Sequence, residues 1–279
     1  MAINSINGLV QSQAQQNIQK TSKTLQAALA SLVSGVRVNR ASDDVAALSI
    51  ASKLQAETSA LRQVSNNLAQ LSSLSQVADG GAEQVQNLLE KLQGLAQQSA
   101  APTTNDQQRA ALSQQFKQLA AEINRFAENT TFNNRKLLDG SVSGSRAIAL
   151  ESAFTDNNDG GDTTLSIQSL TTTSLFSGRP VDILSASGAQ DALNVIGAAL
   201  GSVRETRASI GVFQQAADFA AANIDSVFAN QQAATSVLLD TDFADAATAS
   251  SQANIQNNAA LALLAQGNRL TPALLKLVS

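Results

Sequence analysis

The sequence predicts a mainly α protein: a long antiparallel helical bundle or coiled coil formed by both ends of the chain, with a small central β-hairpin region. Three observations predict it. Apolar residues recur every three or four positions near both termini, which lines them up along one side of a helix. The three prolines are well separated and leave room for long uninterrupted helices. Between residues 138 and 188 the helical period disappears, and short alternating runs replace it.

The first stripe runs Ile18, Ser22, Leu25, Leu29, Leu32, Val36, narrow enough for a coiled-coil seam. Gly35 near its end and Asn39 beyond it predict a break. Asp43 and Asp44 then precede a second helix, where either carboxylate suits the open N–H groups of the first turn. Leu54, Leu61 and Leu68 return at seven-residue intervals, and Val85, Leu88, Leu92 and Leu95 resume the stripe after Gly80-Gly81. The pattern reads as one long helix with a soft point, with two helices as the alternative. Ala101-Pro102 marks a turn, and Thr104 with Gln107 fits a capping box. Leu112, Phe116, Leu119, Ile123, Phe126 and Thr130 make a stripe short enough to fold back as an antiparallel neighbour.

In the middle, Ile148 and Leu150, then Leu165 and Ile167, alternate with smaller residues on either side of the turn-forming 156–162 segment. A β-hairpin is the simplest account. Residues 171–174 and 185–188 read as exposed loop or strand edge, and the region holds too little apolar material for a large independent domain. A small projection on a helical trunk is expected. Beyond it, Leu193, Ile196, Leu200, Val203, Arg207, Ile210, Gln214, Ala217, Ala221, Ile224 and Phe228 form a long seam. A last one passes through Ala246, Ala249, Ala253, Gln256, Ala260, Leu263, Gly267, Leu270, Leu274 and Leu277. One narrow stripe at each terminus suits pairing of the two tails.

Composition excludes several chemistries. The 279 residues contain no cysteine and no histidine, so disulfides, thiolate catalysis and the commonest general base and zinc ligand are absent. Aromatics make up only 3%, which leaves alanine and leucine to supply most of the core. A net charge of -4 with scattered bases matches nucleic acid poorly. No apolar run approaches the length of a membrane span, and the opening residues lack a signal peptide's basic start and apolar run.

Candidate sites each have a structural reading beside the functional one. Adjacent carboxylates such as Asp43 and Asp44 can hold a metal or share acid–base work, but nothing nearby completes a shell, and the helix start accounts for them. The 156–162 loop faintly resembles a calcium loop, yet its twelfth position is Ile167 where glutamate is required. Arg37 and Arg40 suit pairing with Asp240, Asp242 or Asp245 better than nucleic acid, since no aromatic platform accompanies them. No catalytic residue, cofactor or metal is expected. The expected assembly positions are Ile18, Leu25, Leu29, Leu32, Val36, Leu263, Leu270, Leu274 and Leu277 along the two seams, with Arg37, Arg40, Asp43, Asp44, Asp240 and Asp242 as electrostatic partners.

Several separate blocks carry a family resemblance. They are Leu32-Val33-Ser34-Gly35-Val36-Arg37-Val38-Asn39-Arg40-Ala41-Ser42-Asp43-Asp44, the run Leu95-Ala96-Gln97-Gln98-Ser99-Ala100, and Glu122-Ile123-Asn124-Arg125 with Thr131-Phe132-Asn133-Asn134-Arg135-Lys136-Leu137-Leu138-Asp139-Gly140. Near the end come Asp240-Thr241-Asp242-Phe243-Ala244 and Leu264-Ala265-Gln266-Gly267-Asn268. In this order they resemble the bacterial flagellins over roughly residues 1–140 and 200–279. The resemblance implies an inner filament-core domain from 1–44 and 236–279, an outer helical trunk from 45–140 and 189–235, and a short variable segment at 141–188. It also implies a structural, non-enzymatic subunit that self-assembles into the extracellular flagellar filament and supports motility, exported without a cleaved signal peptide. Implied partners are other copies, hook-associated and cap proteins, and a cytoplasmic export chaperone at the C-terminal tail. The hook–filament junction protein is the nearest alternative within this resemblance. A surface adhesin with a glycan ligand is another, with Phe154 and Phe176 the only aromatics available in 141–188 to stack on a sugar.

Overall fold

The computed structural model describes residues 2–149 and 164–278, with side chains over 11–144, 146–148 and 164–266. Helix α1 covers Ala2–Ser34, α2 Val45–Ala100 and α3 Asp106–Asn129. Strands β1 (Thr131–Phe132), β2 (Arg135–Lys136), β3 (Ile148–Ala149) and β4 (Thr164–Leu165) follow, then the short α4 (Thr172–Leu175). The long helices α5 (Ala186–Leu239) and α6 (Phe243–Val278) complete the fold. Among the described residues, no helix is long and apolar enough to cross a membrane.

The helices stop and start for local reasons. At the end of α1, Gly35 adopts a φ of 71°, a left-handed conformation that glycine takes without a Cβ penalty, and its N–H reaches the Ser31 carbonyl at 2.8 Å. Of the two aspartates before α2, Asp44 caps the helix, its Oδ1 accepting from the Ala47 N–H at 2.9 Å. Asp43 closes the preceding turn instead, its Oδ2 accepting from the Asn39 and Arg40 N–H groups at 3.1 and 2.8 Å. The capping box of α3 lies one residue later than the Thr104–Gln107 pair expected. Asn105 Oδ1 accepts from the Gln108 N–H at 2.9 Å, and Gln108 Oε1 accepts from the Asn105 N–H at 3.0 Å. Thr104 is otherwise engaged, its hydroxyl donating to the Gln98 carbonyl at 2.7 Å.

Gly80-Gly81 does not break α2. A Cβ added to Gly81 would stand 2.7 Å from Leu138 Cδ1 and 2.8 Å from Thr130 Cγ2. This glycine therefore marks a close approach between the helix and the segment after α3 rather than a hinge.

The chain divides into two compact units, residues 1–59 with 229–279, and residues 60–228. The second has a continuous core. Leu89, Leu92, Ile123, Leu137, Leu138, Ile196, Ile210 and Phe213 are fully buried there. The stripe of α5 follows the 3.6-residue helical period, so burial passes to Thr206 and Phe213 rather than Arg207 and Gln214. Arg207 turns to the rim of the core, where its Nε donates to Asp79 Oδ1 at 2.8 Å and its Nη1 to Gln86 at 3.1 Å.

The central region contributes to this core. Leu165, Ile167, Leu170 and Ile183 are fully buried. The expected hairpin forms, with Ile148 opposite Leu165 and Ala149 opposite Thr164; Leu150 and the 156–162 loop lie outside the described residues. A second, unexpected hairpin pairs Thr131 with Lys136 and Phe132 with Arg135. Asn133 and Asn134 turn it at φ of 47° and 62°, left-handed values that asparagine tolerates better than most residues. The expectation of loop or edge at 171–174 is corrected to one helical turn, held by Asn124 Oδ1, which accepts from both the Thr172 N–H at 2.8 Å and its hydroxyl at 3.0 Å. Residues 186–188 form the first turn of α5, and Ser185 just before it accepts through Oγ from the Gly188 N–H at 3.0 Å. Burial works against ionisation of Asp139, but the Ser141 backbone N–H and hydroxyl, with Lys136 nearby, outweigh it and hold the carboxyl below its ordinary pKa.

In the first unit α1 packs along α6. A small cluster of Val38, Ala47, Ala51 and Leu239 joins the start of α2 to the end of α5. The two connections, α1 to α2 and α5 to α6, are tied to each other by a backbone bridge between Val36 and Asp240. The Arg37 N–H donates to the Leu239 carbonyl at 2.6 Å, and the Thr241 N–H to the Gly35 carbonyl at 3.0 Å.

Candidate assembly surface

The α1 stripe faces its partner only partly. Ala28 is its buried residue, while Ile18, Ser22, Leu25, Leu32 and Val36 are half-buried. Leu29 lies on the flank at 46% exposure, and Val33 stands in solvent at 88%. The stripe residue buried deepest is thus an alanine, whose methyl side chain suits close helix packing, while the larger stripe residues are covered only in part.

On α6 the same logic holds. Ala246 and Ala253 are buried, and Ala249, Asn257, Ala260 and Leu264 are half-buried. The stripe thus advances by one residue after Ala253, leaving Gln256 and Leu263 exposed, the latter by 67%. A straight helix drifts against a strict seven-residue repeat, which accounts for the shift. Leu270, Leu274 and Leu277 lie on the α6 backbone, but their side chains are outside the described residues.

The charged positions around the two connections mostly satisfy backbone groups. Arg37 does not pair with Asp240, Asp242 or Asp245 within the chain; its guanidinium donates to the Leu238 carbonyl at 2.9 Å, near the end of α5, where unpaired carbonyls gather. Asp240 accepts from the Ser236 hydroxyl. Asp242 caps α6, its Oδ1 accepting from the Ala244 N–H at 2.8 Å and the Asp245 N–H at 3.3 Å. The Arg40 side chain has no ion pair among the described residues. Nor does any group of three or more metal-ligating side chains gather among them.

Sequence reasoning missed the exposed apolar residues that lie off the stripes, namely Val33, Val237, Phe243, Ile255 and Leu261. The available signal was an excess of apolar residues over what one narrow stripe can bury. It also offered Phe176 as a sugar platform, which the structure corrects: the ring is 6% exposed and belongs to the core. Phe154 lies outside the described residues.

Comparison with known proteins agrees with this architecture. The model of the bacterial flagellin N-terminal helical region matches residues 6–143, and that of the flagellin C-terminal helical region matches residues 193–278. A flagellin of Halalkalibacterium halodurans is 35% identical over 91% of this chain and 91% of its own length. The flagellar filament 30.7 kDa core protein of Treponema maltophilum is 30% identical over 100% of this chain and 97% of its own. Among solved structures, a putative flagellar hook-associated protein from Vibrio parahaemolyticus shares the fold, with a TM-score of 0.58 at 15% identity over 70% of this chain and 99% of that one. That likeness shows the fold alone; the near-complete sequence matches show the family. With helical regions matched at both ends and relatives aligned almost end to end, the chain belongs to the bacterial flagellins, the subunits that self-assemble into the flagellar filament.

Proposed function

We propose that the two terminal helices are the filament-forming device of this flagellin, and that neighbouring copies cover the apolar surface which α1 and α6 leave open. The observation that supports it is the pairing of α1 with α6 through alanines, while Leu29, Val33, Ile255, Leu261 and Leu263 remain in water. Apolar residues gathered on paired helices mark an interaction surface. Under this reading residues 1–44 and 236–279 form the inner core of the filament, 45–140 and 189–235 the outer trunk, and 141–188 a short variable segment. Ile18, Leu25, Leu29, Leu32, Val36, Leu263, Leu270, Leu274 and Leu277 meet neighbouring copies or the paired helix. Arg40 supplies a charge for an acidic group on another copy; Asp43, Asp44 and Asp242 act chiefly by ending and starting helices.

Family membership supports the remaining roles: an extracellular filament that serves motility, export through the flagellum's own channel, contacts with hook-associated and cap proteins, and a cytoplasmic chaperone on the C-terminal tail. A glycan ligand has little to recommend it, with Phe176 in the core.

The test is a paired Leu261→Asp and Leu263→Asp variant. Both side chains are exposed in the single chain, so thermal unfolding of the monomer should match the wild type. Elongation on wild-type seeds should stop. Normal filaments from this variant would overturn the assignment.

A further inference from the structure

In unit 60–228, one knob and one hole sit far apart. The knob is Phe219 on α5, 78% exposed in a chain with only nine phenylalanines and no Trp or Tyr. Val212, one heptad earlier, is also exposed. The hole is an open groove of about 500 Å³ between α2 and α3, lined by Lys91, Gly94, Leu95, Gln115, Gln118 and Leu119. Gly94 is exposed, and an added Cβ there would meet nothing within 4 Å, so the groove is open at that point. A cavity of roughly 150 Å³ already accepts a benzene ring, so a phenylalanine side chain fits.

We propose that Phe219 of one copy seats in the Gly94 groove of the next copy, building a head-to-tail contact between trunks. This rests on the assembly reading and names one contact within it. Three observations select a second copy as the occupant. First, an open filament needs two different, complementary faces on each subunit, and a contact of a face with itself would close as a dimer. Second, the charges complement each other: Asp218 stands next to the knob and Lys91 on the groove, and neither has an ion pair among the described residues. Third, the spacing suits a string of copies. The ion pair of Asp79 with Arg207 sets α2 and α5 level at that point, and the Arg62–Phe228 contact shows that they run antiparallel. Phe219 lies twelve residues from Arg207 towards one end of the unit, and Gly94 fifteen residues from Asp79 towards the other. At ~1.5 Å per residue the two features are about 40 Å apart along the helices. A shift of that size along the helix direction brings the knob of one copy level with the groove of a copy lying beside it.

The experiment uses full-length protein elongating on wild-type seeds. Phe219→Asp and Gly94→Phe, the second filling the groove from a position open to solvent, should each slow elongation by at least about tenfold, as loss of an interface anchor does. Their monomers should melt as the wild type does. Lys91→Asp or Asp218→Lys alone should slow elongation, and the two together should restore it, the signature of a direct pair. Because the chain has no cysteine, Lys91→Cys with Asp218→Cys should give a ladder of covalent multimers when filaments meet a short thiol cross-linker. Wild-type-like elongation of Phe219→Asp, or filaments of the cysteine variant that yield no ladder, would overturn this contact while the assembly reading stands. Failure of the wild type to elongate on its own seeds would overturn both.

Discussion

The two compact units are built from the same kind of helix but close their cores differently. In residues 60–228 the buried positions are mostly leucine, isoleucine, valine and phenylalanine with alanines between them, drawn from four helices and the central segment. Among the described residues of 1–59 with 229–279 the buried apolar positions are mainly alanine, with Val38 and Leu239 the exceptions. Large apolar residues there stay at the margin or in water. One unit encloses its large side chains within the single chain; the other, on the assembly reading proposed above, is half of an interface. The difference teaches that stripe width matters as much as stripe hydrophobicity. A narrow alanine-centred stripe joins two helices and leaves large apolar residues on each uncovered within the chain.

Amide exchange tests the contrast most sharply. In the monomer, core amides of the 60–228 unit should exchange only on global unfolding, whereas those of α1 and α6 should exchange faster by orders of magnitude and become protected on polymerisation. Equal protection of both units in the monomer would erase the distinction. Truncation in each place should also separate them. Ile123→Ala should destabilise the monomer by ~2–5 kcal/mol in chemical unfolding. Leu32→Ala, half-buried on α1, should change monomer unfolding little and act on elongation instead.

Backbone positions give smaller effects. Gly81→Ala places a methyl against Leu138 and Thr130 and should cost ~1–3 kcal/mol, read as a lower urea midpoint. The Asn105→Ala variant loses the side-chain half of the α3 capping box, the acceptor for the Gln108 N–H, and should cost ~1 kcal/mol by the same measurement. The smallest effect is electrostatic. Asp139 has a lowered carboxyl pKa, so its contribution is present at neutral pH, above the unfolded-state value, and is lost as pH falls through the folded-state value. Wild-type and Asp139→Asn proteins should therefore differ in melting temperature at pH 7 and converge at acid pH.

Much of this was legible in the sequence because helical periodicity is a local signal. The stripes on α1, α2, α3 and α5 were visible, as were the breaks at Gly35 and Ala101-Pro102. The β3–β4 pair was visible through alternation. What escaped depended on contacts distant in sequence. Gly81 reads as a weak point until Leu138 is found against it. Phe176 reads as an exposed ring until the central segment folds into the core. Arg37 has acidic residues in plausible reach by sequence, yet the carbonyl of Leu238 takes its guanidinium. The phase of α6 beyond Ala253 failed for a different reason, since a repeat of seven and a helix of 3.6 part company over a few turns.

The tie between Val36 and Asp240 is written in main-chain atoms, with Arg37 adding the one side-chain bond. Amide-to-carbonyl bonds carry no net charge and are indifferent to which side chain rides above them. The knot should therefore survive wide swings in ionic strength, unlike an ion pair, and tolerate varied residues at 36, 240 and 241. Proline at 37 or 241 is the exception, because it deletes a donor that nothing else replaces.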